Sequence, residues 1–205
     1  MSWPQPAYVV RTERLVIRCY ERGDVDAVHA GIVSNKDALL PWMSWFQNEP
    51  MTREERAAQL RRFRGSFDVG KDFFYGVFSK DDGAFLGGTG LHPRGGGGVL
   101  EIGYWIVPAR WGQGLAFEVA AALTRVGFEV MEARRIEIRV APHNARSVAI
   151  PRKLGYREEG LIRGVGENAD GSFGDLVLFG MLQAELPDSC AAKAHLEIER
   201  FSVPD

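Results

Sequence analysis

Between an apolar run, Ile102 to Val107, and a helical pattern that sets Val119, Leu123, Val126 and Val130 on one face, the chain reads Ala109-Arg110-Trp111-Gly112-Gln113-Gly114-Leu115-Ala116. A glycine-bearing turn that leads from a strand into a helix leaves several backbone N–H groups without partners. With the positive end of the helix dipole they make a site for a phosphate or pyrophosphate. Gly112 and Gly114 let the backbone approach the anion with no Cβ between them. Taken alone, the same stretch also reads as a plain glycine-rich turn, so its chemistry depends on the elements around it.

Those elements follow from periodicity and turn chemistry. Arg14 to Tyr20 alternates as a half-buried strand, and Asp24 is placed to cap a helix carrying Val25, Val28 and Ile32 on one face. Thr52 and Glu55 have capping-box spacing and open a charged helix to about Phe67. Phe73 to Ser79 and Ala84 to Leu91 read as strands joined by Asp81-Asp82-Gly83. Gly95 to Gly98 precedes a strand, Val99 to Val107, and the helix behind the glycine turn ends near Met131. Arg135 to Val140 is a strand, and Asn144 to Leu154 a short helix stopped by Gly155. Tyr156 to Arg163 and Phe173 to Leu182 are late strands around a polar loop containing Glu167 and Asn168-Ala169-Asp170-Gly171. The order β-α-α-β-β-β-α-β-α-β-β holds one βαβ crossover, around the glycine turn, among antiparallel hairpins. The expected fold is therefore α/β with a mixed, largely antiparallel central sheet flanked by helices. Residues 1–186 form the expected domain and 187–205 a tail, with one short strand over His195 to Phe201.

Composition narrows the class. The chain has 205 residues, 45% of them hydrophobic and 25% charged, which suits one globular domain with a proper core. A net charge of −2 gives no electrostatic footprint for nucleic acid. Cys19 and Cys190 lie far apart with no metal or redox spacing, so no metal is expected. No apolar run reaches membrane-spanning length, and no basic start with an apolar stretch marks a secretion signal. A soluble, cytoplasmic protein without nucleic-acid or membrane partners is the expectation; a homodimer is left open.

Comparison of anion-binding turns then sharpens the first observation. A Walker loop needs Gly-Lys-Ser or Gly-Lys-Thr, and neither occurs. A dinucleotide fingerprint needs a third glycine where Phe117 stands. The turn that remains is the pyrophosphate loop of acyl-coenzyme A enzymes. Here the chain resembles the GNAT N-acetyltransferases, and within them the RimJ/RimL group of ribosomal-protein N-terminal acetyltransferases. The family's loop has Gln or Arg, two residues, Gly, one residue, then Gly or Ala. Trp111-Gly112-Gln113-Gly114-Leu115-Ala116 matches it with Trp111 in the first place, as in the RimJ/RimL group. Glu101-Ile102-Gly103-Tyr104-Trp105 resembles that group's central strand. Asn144-Ala145-Arg146-Ser147, followed by Lys153-Leu154-Gly155-Tyr156, resembles the family's late coenzyme helix. The likeness runs from about Thr12 to Glu185 and leaves out the tail.

The resemblance implies transfer of an acetyl group from acetyl-CoA, as cosubstrate, to a primary amine. Such a transfer must remove a proton from the amine, stabilise the carbonyl oxygen and let the thiolate leave. Much of the acceleration comes from holding the two reactants together. In the family a splayed opening beside the central strand holds the acetyl group under a backbone N–H, which falls near Ile106 and Val107. Two carboxylates are candidate bases. Glu101 begins the central strand, where acidic residues often serve, although it also reads as a surface charge. Glu167 occupies nearly the place of a RimJ/RimL glutamate thought to act as base and is ranked first, although it also reads as a solvated loop charge. His92, just before Pro93, reads as a turn histidine able to titrate near neutral pH.

At the thiolate end the chain departs from the family. Many GNAT enzymes carry a tyrosine seven residues after the helix asparagine, and Pro151 stands there, with no proton to give. The resemblance makes Ser147 the candidate donor to sulfur, against an ordinary role as a helix-start serine. Asn144 is expected both to cap its helix and to reach the pantetheine. The coenzyme set is thus Ile106, Val107, Trp111, Gly112, Gln113, Gly114, Leu115, Ala116, Asn144 and Ser147, with Glu167, Glu101 and Ser147 as catalytic candidates. Leu40-Pro41-Trp42-Met43-Ser44-Trp45-Phe46 lies where the family builds one wall of the acceptor groove. One of Trp42 and Trp45 is expected to border it, against the alternative of a core plug. The expected acceptor is a primary amine, with the N-terminal amine of a protein or peptide as the first candidate. Two alternatives stay open: a small amine such as an amino acid, polyamine or drug, and a non-catalytic acyl-CoA-binding module.

Overall fold

The strands of the computed structural model, which describes residues 3, 4 and 6–200, are β1 (Ala7–Arg11), β2 (Leu15–Cys19), β3 (Phe73–Ser79), β4 (Phe85–Pro93), β5 (Val99–Ile106), β6 (Arg135–Val140), β7 (Arg157–Glu167), β8 (Phe173–Leu182) and β9 (Glu197–Arg200). They form one sheet in the order β7-β8-β6-β5-β4-β3-β2-β1-β9. Among the described residues only the β5–β6 pair is parallel. The helices are α1 (Val25–Val33), the single turn α2 (Lys36–Leu39), α3 (Arg53–Asp68), α4 (Leu115–Arg125) and α5 (Ala145–Leu154). None is long and apolar enough to cross a membrane.

Strand alternation splits the core between the two faces of the sheet. Leu100, Ile102 and Ile106 of β5 pack with Leu115, Val119 and Leu123 of α4 and with Val148 and Leu154 of α5. Trp105, on the opposite side of the same strand, packs with Val25, Val28 and Ile32 of α1, Phe46, and Leu60 of α3. The capping box of α3 forms as its spacing predicts: Glu55 N–H donates to Thr52 Oγ1 at 3.2 Å, and Thr52 N–H to Glu55 Oε2 at 2.7 Å. Gly155 closes α5 in the left-handed region at φ +96°. The next residue, Tyr156, is buried and shares a 2.7 Å hydrogen bond with Thr124 of α4, which locks the exit of α5 onto α4.

Several sequence expectations are corrected here. β1 adds a strand to the expected order; its burial does not alternate, with Ala7 and Val10 buried and Tyr8 and Val9 between them half-buried, so period-two reading misses it. Asp24 sits at the start of α1 but does not cap it. Its carboxylate takes both Arg18 nitrogens, at 2.8 and 2.7 Å, and the Glu21 N–H at 2.7 Å. His92 is a strand residue of β4 rather than a turn residue, with Nδ1 2.6 Å from Asp72 Oδ1. β7 runs four residues beyond Arg163, so Glu167 ends a strand instead of standing in a free loop. The segment expected as a tail packs back onto the sheet: Ala191 is fully buried, and β9 pairs with β1. The last residue of the expected strand, Phe201, lies outside the described residues.

Candidate active site

The central feature is a pairing that stops. β5 and β6 are in register only over Val99–Glu101 against Arg135–Glu137. β5 then continues to Ile106 along β4, while β6 continues to Val140 along β8. The two strands part, and a cavity of about 1260 Å³ opens between them. Ile102 to Ile106 form one wall and Ile138 to Ala141 the other.

Ladder phase decides which amide faces the gap. Val107 donates its N–H to Leu86 O at 2.8 Å. Bonded and non-bonded pairs alternate along an antiparallel ladder. Ile106, opposite Gly87, is therefore out of phase, and its N–H points into the opening. Of the two residues expected at this place, Ile106 offers a free amide and Val107 does not. Val107 is also absent from the cavity wall.

The glycine turn closes one end of the cavity. Gly112 and Gly114 hold φ of +76° and +78°. The first amide bonded within α4 is Glu118 N–H, to Gly114 O at 3.1 Å. The amides of Leu115, Ala116 and Phe117 precede it and have no helix carbonyl to reach. Trp111 pins the turn to the end of the strand, since its Nε1–H donates to Ile106 O at 2.7 Å. That bond gives a physical reason for an indole at the first motif position. Arg14 holds the turn from the other side. Its Nε and Nη2 meet Glu118 Oε2 at 2.7 and 2.6 Å, and Nη1 donates to Gln113 O at 2.9 Å. Arg110 and Arg146 line this end, the Arg146 guanidinium 5.4 Å from the Trp111 ring. Positive φ, free amides and arginines together suit a pyrophosphate. Gln113 contributes its carbonyl to the Arg14 clamp and does not line the cavity.

The start of α5 forms the neighbouring wall. Asn144 Oδ1 caps the helix by accepting Ser147 N–H at 3.2 Å, and both residues line the cavity. Tyr104 faces them from β5 and donates its hydroxyl to Ser147 O at 3.3 Å. Burial pushes the Tyr104 phenol above its ordinary pKa, so it stays a proton donor in hydrogen bonds at neutral pH.

The two carboxylates part company. Glu167 lines the cavity, with Ser44 Oγ at 3.5 Å and Gln47 Nε2 at 3.3 Å, both uncharged donors. Glu101 lies on the paired part of β5 and is not a wall residue. Its Oε2 faces the Arg94 and Arg139 guanidiniums at 3.2 and 3.5 Å. Trp42, 42% exposed, lines the cavity with its ring 5.7 Å from that of His143. Trp45 does not line it; its ring stacks on Phe46 at 3.9 Å. Arg139, His143 and Asp175 are cavity residues outside the sequence motifs, and Tyr104 is a cavity residue that stands in the central-strand motif without a role assigned from sequence. For Tyr104 a signal exists, since it alternates with Ile102 and Ile106 on one side of β5.

A parted β-strand pair lies beside a helix start with free amides, and the chain belongs to the GNAT family: the acetyltransferase (GNAT) domain matches residues 14–157. It is an N-acetyltransferase. Among its relatives is the [ribosomal protein uS5]-alanine N-acetyltransferase of Escherichia coli, 28% identical over 163 residues, covering 76% of this chain and 81% of that protein. The solved structure of Mycobacterium smegmatis RimJ in complex with CoA-disulfide is 25% identical, with a TM-score of 0.78 over 94% of this chain and 95% of that one. A RimL structure in complex with coenzyme A, 21% identical at a TM-score of 0.76 over 85% and 97% of the two chains, shares the fold.

The turn yields a first prediction. A Cβ on Gly114 would meet only Arg14 Nη2, at 3.7 Å, so Gly114→Val should not clash with the protein itself. The valine instead opposes the left-handed backbone, at about 1–2 kcal/mol, and fills the approach of the anion. Calorimetry should show acetyl-CoA affinity reduced roughly tenfold or more, about 1.4 kcal/mol or above. Equal affinities for variant and wild type would remove this turn from the site.

Proposed function

We propose that this chain transfers the acetyl group of acetyl-CoA to the N-terminal amine of a protein or peptide. One observation carries this reading: a single cavity is lined by the glycine turn, by the parted strands, and by Glu167 and Trp42. Small-ligand pockets run to about 300–1,000 Å³. The larger volume here suits two substrates held together, and that approximation lowers the entropic part of the barrier.

Each step has a residue to serve it. Glu167 accepts a proton as the acceptor's nitrogen forms its bond to the acetyl carbon. The Ile106 N–H bonds the carbonyl oxygen as negative charge builds there. The C–S bond breaks with its electron pair going to sulfur, and the Ser147 hydroxyl donates a hydrogen bond to that thiolate. Glu101, which does not line the cavity and is engaged by Arg94 and Arg139, is left without a role in proton transfer. The choice of a protein N-terminus is supported by the name of the Escherichia coli relative, which acts on an alanine of a ribosomal protein.

Thiol release from acetyl-CoA should be followed with an alanine-initiated peptide, the same peptide N-blocked, a lysine side-chain amine, a polyamine and free amino acids. Turnover confined to the free peptide N-terminus is expected. Preference for a polyamine or amino acid would overturn the acceptor assignment while leaving the transfer chemistry in place.

A further inference from the structure

α5 carries a proline in its interior, Pro151, four residues after Ser147. In an α-helix the N–H of residue 151 would donate to the carbonyl of residue 147. Proline has no N–H, so the helix cannot supply that bond. The Tyr104 hydroxyl supplies it instead, reaching Ser147 O at 3.3 Å from β5. On its other side, Ser147 N–H is held by Asn144 Oδ1 at 3.2 Å. Side chains, rather than the helix ladder, therefore hold both polar groups of the Ser147 backbone, and all three residues line the cavity.

We infer that Tyr104 is a positioning residue whose hydroxyl replaces the helix amide lost at Pro151 and fixes the backbone of Ser147 at the cavity wall. This rests on the reading of Ser147 as the hydrogen-bond donor to sulfur. A serine hydroxyl has a short reach, and its bond to a developing thiolate weakens steeply with misalignment. Holding the backbone on both sides keeps that hydroxyl in place as charge builds, where it affects turnover rather than binding. The proline that removes a proton donor from the usual position on this helix thereby also creates the need for a tyrosine on a strand.

Restoring the missing amide is the test. Tyr104→Phe, Pro151→Ala, the double variant and Ser147→Ala would be compared using acetyl-CoA and an alanine-initiated peptide. Amide hydrogen exchange over residues 145–150 gives a second readout that needs no acceptor. Tyr104→Phe should lower kcat roughly tenfold, as expected for one lost hydrogen bond, with little change in KM for acetyl-CoA. It should also speed exchange at the start of α5. In the Pro151→Ala background the same tyrosine change should cost little in either readout, because the introduced alanine returns an N–H to the Ser147 carbonyl. A kcat loss that persists in the double variant would overturn the inference, since Tyr104 would then act through packing or at the reacting atoms. Unchanged kcat and exchange in Tyr104→Phe would overturn it as well. Full kcat in Ser147→Ala would instead remove the serine as donor, and the exchange data would still decide whether Tyr104 holds the helix start.

Discussion

Glu167→Gln should slow acetyl transfer by ~10²–10⁴ near neutral pH, the usual consequence of losing a general base, with affinity for acetyl-CoA close to that of the wild type. The end of β7 presents this carboxylate to the cavity, and its partners there, Ser44 and Gln47, are uncharged donors. Among the described residues no arginine or lysine is paired with the carboxylate there, and its oxygens face the cavity where an amine's proton could be taken. Glutamine preserves size and hydrogen bonding but cannot accept that proton. Glu101→Gln, run in parallel, should lose far less, because that side chain sits on the paired part of β5 against Arg94 and Arg139. Wild-type rates for Glu167→Gln at every pH would mean that another group takes the proton or that positioning alone suffices.

Glu49→Ala should cost about 3–5 kcal/mol of folding stability, the range for stranding one charge of a buried pair. Glu49 and Arg56 are both fully buried in their side chains and hydrogen-bonded to each other. Arg56 Nη1 has one further partner, Gln59 Oε1 at 2.5 Å, and Arg56 Nε has none among the described residues. Without Glu49 the guanidinium would stay desolvated with its main counter-charge gone. The same glutamate accepts Met51 N–H at 3.0 Å, and its carbonyl accepts from Lys36 Nζ, so it also ties down the end of the segment that carries Trp42, Ser44 and Gln47. Urea denaturation would measure the loss. Replacing both partners by leucine should cost much less than Glu49→Ala, because no charge is then left unpaired. A loss below about 1 kcal/mol in Glu49→Ala would mean that water or another side chain solvates Arg56.

The glycine turn is legible in the sequence because everything that makes it lies within a dozen residues. Apolar periodicity marks the strand before it and the helix after it, and glycine alone tolerates the positive φ of Gly112 and Gly114 at no steric cost. The same holds for the Thr52–Glu55 capping box and for Gly155 at the end of α5. Such features depend on the local backbone, so residue types at fixed spacing determine them.

The site itself is decided by contacts between distant segments. Two glutamates compete as base in the sequence, with Glu167 ranked first only by resemblance; strand register places Glu101 against arginines and carries Glu167, through four extra residues of β7, to the cavity. Which amide faces the gap between β5 and β6 is a matter of ladder phase against β4, and phase is a property of the pair of strands rather than of either one. Trp42 and Trp45 differ by three positions, yet only the packing of Trp45 on Phe46 and Trp105 takes it out of the cavity wall. Pro151 announces in sequence that a helix carbonyl will lack its amide. Only the tertiary structure shows that Tyr104, 43 positions away from Ser147, supplies the hydrogen, because a partly buried polar group takes whichever donor the fold brings within reach.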